Sequence, residues 1–492
     1  MMNEPEKSDF AVVAVKPANN AAQAAAERVE PRAGTKGNAG QPHTHRTQGR
    51  ASVPQGLDRV RQAAGQRKKE RFTALLHHVN VEQLRKAFLA LKRHAAAGVD
   101  GVTWQDYEAN LEANLQGLHQ RVHSGAYRAQ PVRRQYIAKP DGRLRPLGIA
   151  AQEDKIVQRA VVAVLEAIYE EDFLEFSYGF RPQRSQHDAL DALSGGIEQT
   201  GVNWILDADI KGFFDAIDQQ WLIKFLEHRI GDERMLRLVR KWLKAGVLEQ
   251  GQWSVSETGT PQGAVISPLL ANIYLHYAFD LWARQWRNRY PRGQMIVVRY
   301  ADDIVVGFEH KTEALRFWKA MRERLAQFAL ELHETKTRLV AFGSRMVSFC
   351  RLNDAGRPGT FNFLGFTFIC GHSRRGNFQL LRHTRADRMR AKLKDIKVEL
   401  RRRRHAPIPE QGRWLRQVVR GYFNYHAVPT NHRALCNFRF QVVRHWQRSL
   451  CRRSQRGRVT WERMKRIATH WLPSPRILHP WPSDRYAVKH PR

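Results

Sequence analysis

The chain has 492 residues, of which 42% are hydrophobic and 10% aromatic, so it can bury a substantial core. Lys and Arg exceed Asp and Glu by 82 to 47, a formal charge of +35, which favours nucleic acid as a partner over an anionic membrane surface. The absence of an apolar run of about 18 residues excludes a transmembrane helix, and the mixed charges of residues 1–10 exclude a secretory signal there.

The N-terminal quarter of the chain changes character near residue 70. Residues 1–70 are rich in Ala, Gln, Gly, Pro and Arg without a sustained apolar period, which predicts a disordered or weakly ordered basic extension. An apolar stripe then predicts an amphipathic helix through Val81, Leu84 and Phe88, and a second helix is expected over about 104–123. Four cysteines without a C-x-x-C pair argue against a zinc ribbon or a disulfide framework.

Two strands flanking Pro140-Asp141-Gly142 form the next predicted element, a basic hairpin over residues 132–149. The hairpin would bring Lys139, Arg143 and Arg145 close together, as in a phosphate clamp. A solvated basic face accounts for the same residues. A helix over residues 151–167 follows, and Ser185 is a candidate cap for the helix after it.

Carboxylates end or interrupt two apolar strands in the middle of the chain. The first strand, Trp204 to Asp209, leads into a Gly and two Phe residues, and the second stretch, Val297 to Phe308, contains Asp302 and Asp303. We expect both of these aspartates to occupy a hairpin turn. Their mutual repulsion would be offset by a divalent metal, although a solvated turn explains the pair equally well on this stretch alone.

A Gly-Thr-Pro-Gln-Gly loop at 259–263 lies between these strands and precedes a helix predicted to begin near Ser267, with Ser267 as its cap and Pro268 at its first position. After the second strand the pattern predicts a long helix over 311–332, a basic strand ending at residue 343, and a hairpin strand over 361–368.

The C-terminal part is strongly basic, with 31 Lys and Arg against 6 Asp and Glu from residue 371 to residue 492. Aromatic residues are interleaved with this charge, an arrangement suited to stacking on unpaired bases and to backbone contacts in RNA. A small helical domain with an aromatic core is the alternative for the Trp residues. The candidate RNA-binding residues are Arg401, Arg402, Arg403, Arg404, Tyr422 and Tyr425.

Six motifs in this order resemble the bacterial group II intron-encoded reverse transcriptase/maturase family. They are Arg145-Pro-Leu-Gly-Ile149, Ser177-Tyr-Gly-Phe-Arg-Pro182, Asp209-Ile-Lys-Gly-Phe-Phe-Asp215, Gly259-Thr-Pro-Gln-Gly263 with Ser267-Pro-Leu-Leu-Ala-Asn272, Tyr300-Ala-Asp-Asp303 and Phe363-Leu-Gly-Phe366. The resemblance implies an α+β right-hand polymerase with fingers and palm, followed by an α-helical thumb/maturase domain. The implied divisions are fingers with an extra N-terminal block at 71–200, palm at 201–370, thumb/maturase at 371–470 and a basic segment at 471–492.

The same resemblance implies roles for individual residues. It makes Asp209, Asp302 and Asp303 the catalytic metal ligands, with the backbone carbonyl of Ile210 completing a metal shell. The implied nucleotide-binding residues are Lys139, Arg145, Phe214, Gln262 and Lys336, of which Phe214 would exclude a 2′-hydroxyl and Lys336 would protonate pyrophosphate. The implied primer grip is Phe363, Leu364, Gly365 and Phe366.

The implied activity is RNA-directed DNA synthesis with two Mg²⁺ ions, for which Mn²⁺ could substitute, on group II intron RNA with a DNA target, a primer and dNTPs. A cytoplasmic, nucleoid-associated bacterial protein is expected, and a homodimer is compatible with the sequence. Residues 471–492 lack the Cys pairs of an HNH endonuclease, so priming from an existing nick or nascent strand is expected. The alternatives are a splicing-only maturase and another bacterial reverse transcriptase of the retron, diversity-generating or CRISPR-associated kind.

Overall fold

The computed structural model describes residues 54–138, 144–249, 252–254, 259–260, 263–290, 292–354, 356–454 and 458–489. Lys139, Gln262 and most of the predicted N-terminal extension lie outside these ranges. The described chain divides into two compact units, one formed by residues 54–135, 148–173 and 219–277 and the other by residues 136–147, 174–218 and 278–489.

The helices and strands of the described residues alternate irregularly, which confirms the predicted mixed α+β class. The helices are α1 (Pro54–Gln66), α2 (Val81–Leu89), α3 (Trp104–Glu108), α4 (Leu111–Ser124), α5 (Gln152–Asp172), α6 (Gln186–Gln199), α7 (Phe213–Ala216), α8 (Gln219–Glu227), α9 (Glu233–Lys244), α10 (Ser267–Leu275), α11 (Leu281–Arg289), α12 (Lys311–Ala326), α13 (Ser344–Leu352), α14 (Ala386–Arg402), α15 (Ile408–His426), α16 (His432–Cys451), α17 (Trp461–Trp471) and α18 (Pro482–Lys489). The strands are β1 (Val132–Ala138), β2 (Leu144–Ile149), β3 (Trp204–Asp209), β4 (Val247–Glu249), β5 (Gln252–Ser254), β6 (Met295–Tyr300), β7 (Asp303–Phe308), β8 (Arg338–Ala341), β9 (Phe361–Phe363), β10 (Phe366–His372) and β11 (Phe378–Thr384). None of the helices in the described ranges is long and apolar enough to span a bilayer.

The first unit is built around α5, whose predicted apolar side is buried along almost its whole length. Helices α1 and α2 pack against it, so residues 54–66 are helical where the sequence predicted weak order. Asp232 joins distant parts of this unit, because its Oδ2 accepts hydrogen bonds from the backbone nitrogens of Leu75 and Leu76. Strand β1, the first strand of the predicted basic hairpin, pairs in parallel with β4, with Val132 beside Val247 and Arg133 beside Leu248.

The second unit contains an antiparallel sheet of strand order β6-β7-β3-β8, called here the central sheet. Helix α6 packs on β6 and α12 packs on β3 and β7. A core formed by α6, the central sheet and a three-stranded sheet β11-β10-β9 includes Leu190, Leu193, Val305, Phe361 and Phe368. This core holds the carboxylate-bearing ends of β3 and β7 in place.

Helices α14 to α17 form a separate apolar core at the C-terminal side of the second unit, as the sequence predicted in outline. Trp446 is fully buried there, and its indole nitrogen donates a hydrogen bond to Gln411 Oε1 at 2.7 Å. The Gln411 amide nitrogen in turn donates to the carbonyl of Arg403 at 2.5 Å. The tryptophan at this position is therefore a core residue, in agreement with the alternative considered for the Trp residues.

Two predicted helices have different bounds in the structure. The helix expected over 311–332 ends at Ala326, because the following residues return to β3, where Leu332 bridges Ile210 and the Lys211 nitrogen donates to the Glu331 carbonyl. The helix expected over 104–123 is two helices, α3 and α4, separated at Asn110, whose φ of −127° is not helical. At Ser267 the predicted cap is wrong, since Ile266 occupies the N-cap position, whereas Ser185 does cap α6.

His426 at the end of α15 makes the stability of this unit depend on pH. Burial, and to a smaller extent the neighbouring charge of His187, lower the pKa of His426 from 6.5 to about 4. Between pH 6.5 and pH 4, His426 therefore binds a proton more readily in the unfolded chain than in the folded protein. The free energy of unfolding, highest above pH 6.5, falls as the pH is lowered toward 4. From pH 7.5 to pH 5 we expect a loss of about 2 kcal/mol from this group.

The measurement is denaturant unfolding at both pH values for the wild type and for His426→Gln. The variant should lose less stability than the wild type by that amount. His432→Gln, at an exposed position on α16, is the control and should keep the wild-type difference. Equal losses in His426→Gln and the wild type would contradict the assignment.

Candidate active site

The pairing of β3 with β7 sets the carboxylates of the central sheet side by side. Asp209, the last residue of β3, is the register partner of Asp303, and Asp303 also pairs with Tyr300 of β6. The turn between β6 and β7 therefore consists of Ala301 and Asp302. The prediction that both aspartates lie in this turn is wrong for Asp303, which begins β7 because it is held by the ladder to β3.

Backbone and side-chain contacts fix the end of β3. The Asp209 nitrogen donates to Thr337 Oγ1 at 3.4 Å, and its carbonyl accepts from the His333 nitrogen at 2.8 Å. Lys336, on the segment leading into β8, places its Nζ 2.5 Å from Asp209 Oδ2. The structure thus brings Lys336 to the carboxylates, and its implied role in nucleotide binding stays a prediction.

Negative charge accumulates at this end of the sheet. The Asp303 side chain reaches solvent, yet the protein around its carboxyl and repulsion from Asp302 and Asp209 raise its pKa to about 7. Asp207, two residues before Asp209, adds to this repulsion although Arg338 lies 3.4 Å from its Oδ2. A cation bound among these groups would relieve the repulsion.

The donor set suits a hard divalent cation. Carboxylate oxygens are the ligands that Mg²⁺ and Mn²⁺ prefer, and Asp209, Asp302 and Asp303 offer them from one edge of the sheet. Within the described ranges no three Asp, Glu, His or Cys side chains are already arranged as a metal cage. Ile210 is buried and bridges Leu332, so its side chain has a packing role, and the sequence-based prediction concerns its carbonyl alone.

Comparison with known proteins decides the family. Residues 137–368 match the family described as "Reverse transcriptase (RNA-dependent DNA polymerase)". Protein YkfC of Escherichia coli K12 is 35% identical over 327 residues, which cover 60% of this chain and 81% of YkfC. The chain belongs to the reverse transcriptase family. The matched range of this reverse transcriptase contains all three carboxylates and both strands that carry them.

Two further relatives are named for introns. The "Group II intron-encoded protein LtrA" of Lactococcus lactis is 39% identical over 256 residues, covering 51% of this chain and 42% of LtrA. "Nuclear intron maturase 1, mitochondrial" of Arabidopsis thaliana is 24% identical over 154 residues, covering 28% of this chain and 21% of the maturase. The reverse transcriptase thus spans less than half the length of LtrA.

The predicted nucleotide-binding residues are located to different extents. Phe214 lies in the short helix α7 directly after Asp209-Ile210-Lys211-Gly212, half-buried beside Phe213 with ring centroids 5.4 Å apart. Arg145 lies in β2. Lys139 and Gln262 fall outside the described residues, so their assignment stays a prediction.

The predicted primer grip is a tight turn between β9 and β10. Phe363 and Phe366 are buried in the core, and the turn between them is formed by Leu364 and Gly365, which are half-buried and have positive φ. Tyr425 supports the turn, since its hydroxyl donates to the Leu364 carbonyl at 2.7 Å. This contact links α15 to the turn, and the RNA-binding role of Tyr425 stays a prediction.

Two predicted RNA-binding residues have structural partners instead. Tyr422 is 8% exposed and stacks on Phe438 with ring centroids 3.5 Å apart, so its ring cannot stack on a base. Arg403 pairs with Glu399 at 2.7 Å and lies over the ring of Trp414. Arg401 and Arg402 are exposed and Arg404 is half-buried.

Sequence reasoning missed a buried residue that lies directly behind the turn between β6 and β7. Arg299 is completely buried and forms an ion pair with Asp280. An arginine inside the apolar run of β6 was the available signal, because a charged residue is rarely buried without a partner.

Proposed function

We propose that this reverse transcriptase is encoded by a group II intron, copies intron RNA into DNA, and binds that RNA to assist splicing and mobility. The observation that carries the proposal is the 39% identity to LtrA, a protein named as group II intron-encoded, over half of the chain. The partners are the intron RNA, a DNA target and primer, and dNTPs, in the bacterial cytoplasm at the nucleoid.

Asp209, Asp302 and Asp303 would hold two Mg²⁺ ions, with Mn²⁺ as a substitute. Such ions lower the pKa of a primer 3′-hydroxyl and offset charge on the attacking and leaving oxygens. Lys336 would release Asp209 when cations offset the carboxylates, and its ammonium would then donate a proton to pyrophosphate. Phe214 would pack under the sugar and exclude a 2′-hydroxyl.

In this proposal the central sheet is the palm, and α14 to α17 are the thumb/maturase domain. Exposed basic side chains on these helices would bind the intron RNA backbone, as expected for a segment with such excess positive charge. Arg413 and Arg420 are suited to this role because their spacing of seven residues puts them on one face of α15, and both are exposed.

The alternatives differ in what they require. A splicing-only maturase has no need for metal-binding carboxylates, and all three are retained here at the end of paired strands. A retron, diversity-generating or CRISPR-associated enzyme has no need for an intron partner. The identity to LtrA therefore favours the intron-encoded form.

The test combines two assays of the purified chain with the group II intron RNA that flanks its gene: primer extension with dNTPs and Mg²⁺, and splicing of the intron. We expect both activities. Arg413→Gln/Arg420→Gln should reduce RNA affinity and splicing about tenfold or more, since each phosphate contact is electrostatic, while extension of a short primer on a homopolymer RNA persists.

Arg316→Gln/Lys319→Gln, an exposed basic pair on α12, is the matched control and should leave splicing unchanged. Extension without any stimulation of splicing would reject the intron assignment. Splicing without extension would instead support a splicing-only maturase.

A further inference from the structure

A completely buried ion pair lies behind the turn that carries Asp302. Arg299 Nε is 2.7 Å from Asp280 Oδ1, and Arg299 Nη2 is 2.6 Å from Asp280 Oδ2, with neither side chain exposed to solvent. Burying two charges is costly, and apolar residues of similar volume often serve stability as well or better. The pair therefore invites an explanation beyond stability.

The remaining donors of the guanidinium point to that explanation. Arg299 Nη1 donates to the carbonyl oxygen of Ala301 at 3.0 Å, and Nη2 also donates to Ser177 Oγ at 2.6 Å. Ala301 precedes Asp302 and has a φ of +56°, a conformation that a residue with a side chain adopts at a cost. The guanidinium thus holds the backbone of the catalytic turn in a strained conformation.

The segment that supplies Ser177 also packs against this turn. The Arg299 nitrogen donates to the Phe176 carbonyl, and the Tyr178 nitrogen donates to the Arg299 carbonyl, both at 2.9 Å. A Cβ on Gly179 would lie 2.3 Å from the Ala301 nitrogen, so only glycine allows this approach. The Ser177 to Pro182 motif therefore meets the turn directly.

Asp280 comes from a different segment of the chain from Ser177. It ends a π-helical turn, His276–Asp280, between α10 and α11. Such turns insert an extra residue into a helix and often occur at functional sites. Here the π-helical turn ends at Asp280, whose carboxylate binds Arg299, and α11 begins at the next residue, Leu281.

We propose that Arg299, oriented by Asp280 and Ser177, is a positioning residue for DNA synthesis: it fixes the Ala301 carbonyl and thereby the backbone from which Asp302 and Asp303 reach the metal ions. The proposal rests on the assignment of these aspartates as metal ligands. Arg299 itself touches neither substrate nor metal, and its effect is exerted through the turn.

The test is the double variant Arg299→Met/Asp280→Leu, which replaces the pair by apolar side chains and leaves no buried charge unpaired. Three quantities are measured: amide hydrogen exchange at residues 300–303 without metal, Mn²⁺ affinity by electron paramagnetic resonance, and kcat with KM for dNTP. We expect exchange to accelerate and Mn²⁺ affinity and kcat to fall, each about ten- to hundredfold, since hydrogen bonds to a charged group are lost. KM should change less than kcat.

The matched control is Arg382→Leu/Asp191→Leu, a second buried Arg–Asp pair in the same unit that makes no contact with the turn in the described hydrogen bonds. This control should keep wild-type exchange at residues 300–303. A folded Arg299→Met/Asp280→Leu protein with wild-type Mn²⁺ affinity and kcat would overturn the proposal, whether or not the turn exchanges faster.

Ser177→Ala covers the case in which the double variant does not fold. It keeps the ion pair and removes one orienting hydrogen bond, so we expect changes of about tenfold in the same three quantities, the low end for one hydrogen bond to a charged group. Unchanged values there would also overturn the proposal. Failure of the metal assignment would look different, because Asp302→Asn would then retain Mn²⁺ binding while the Arg299 variants still altered exchange at the turn.

Discussion

Asp302→Asn is expected to reduce DNA synthesis by at least about 1,000-fold, because metal ions contribute several kcal/mol to the stabilisation of such a transition state. The same variant should be no less stable than the wild type when metal is absent. The expectation for stability follows from the crowding of carboxylates at the end of β3 and β7, where Asp302 raises the pKa of Asp303 by repulsion. An amide at position 302 removes one of the repelling charges.

Stability and activity should therefore change in opposite directions, which a purely structural role for Asp302 does not predict. Mg²⁺ should raise the Tm of the wild type, because a ligand that binds the folded state stabilises it, and should raise the Tm of Asp302→Asn much less. Primer extension at saturating Mg²⁺ and thermal unfolding with and without Mg²⁺ measure the two effects.

Asp207→Asn is the matched control. Asp207 lies on the same strand as Asp209, two residues earlier, and is engaged by Arg338. We expect its replacement to lower extension less than about tenfold, the effect of a changed local charge without loss of a metal ligand. If Asp207→Asn were as inactive as Asp302→Asn, the ligand set would have to include Asp207.

The sequence was sufficient to locate the carboxylates but not their arrangement. Apolar β-branched runs predicted β3, β6 and β7 because strand periodicity and composition are local signals. The position of Asp303 within β7 depends on its pairing with Asp209, more than 90 residues away, which no local pattern encodes. The same limit applies to α12. The helix ends at Ala326 because the residues that follow pair with the chain just after β3, where Leu332 bridges Ile210.

Charge and aromatic content predicted a basic helical region at the C-terminus but not the use of its residues. The ring of Tyr422 and the guanidinium of Arg403 have partners inside the protein, which composition cannot distinguish from contacts to RNA. The same holds for the segment after α17. The sequence predicted only that this segment is basic, whereas in the structure Arg485 of α18 forms an ion pair with Asp191.

That segment is bound to α6 by a buried charge cluster. Asp191 of α6, 3% exposed, has Arg382 Nη1 2.7 Å from Oδ1 and Arg485 Nε 3.1 Å from Oδ2. His479 adds two further contacts. Its backbone nitrogen donates to the Ala427 carbonyl, and its ring stacks on that of His187 with ring centroids 3.9 Å apart. Asp191 is thus the common partner of β11 and α18.

Asp191→Ala is expected to destabilise the protein by about 3–5 kcal/mol, because it leaves the buried Arg382 charge without its partner. Arg485 would lose the same carboxylate, so α18 should detach from α6 and Trp481, directly before α18, should change its fluorescence. Denaturant unfolding measures the first effect, and trypsin cleavage after Arg485 under native conditions measures the second.

The exposed pair of Arg385 and Asp387, also 2.7 Å apart, provides the comparison: Asp387→Ala should cost less than about 1 kcal/mol, since solvent screens an exposed pair. The double variant Asp191→Leu/Arg382→Leu should recover most of the stability lost in Asp191→Ala, because it also removes the buried Arg382 charge, yet α18 should stay sensitive to trypsin since Arg485 still lacks its partner. Recovery of stability with continued trypsin cleavage in α18 would show that Asp191 stabilises the fold through Arg382 and holds α18 through Arg485. A loss of stability in Asp191→Ala no larger than that in Asp387→Ala would show that neither contact of Asp191 is stabilising.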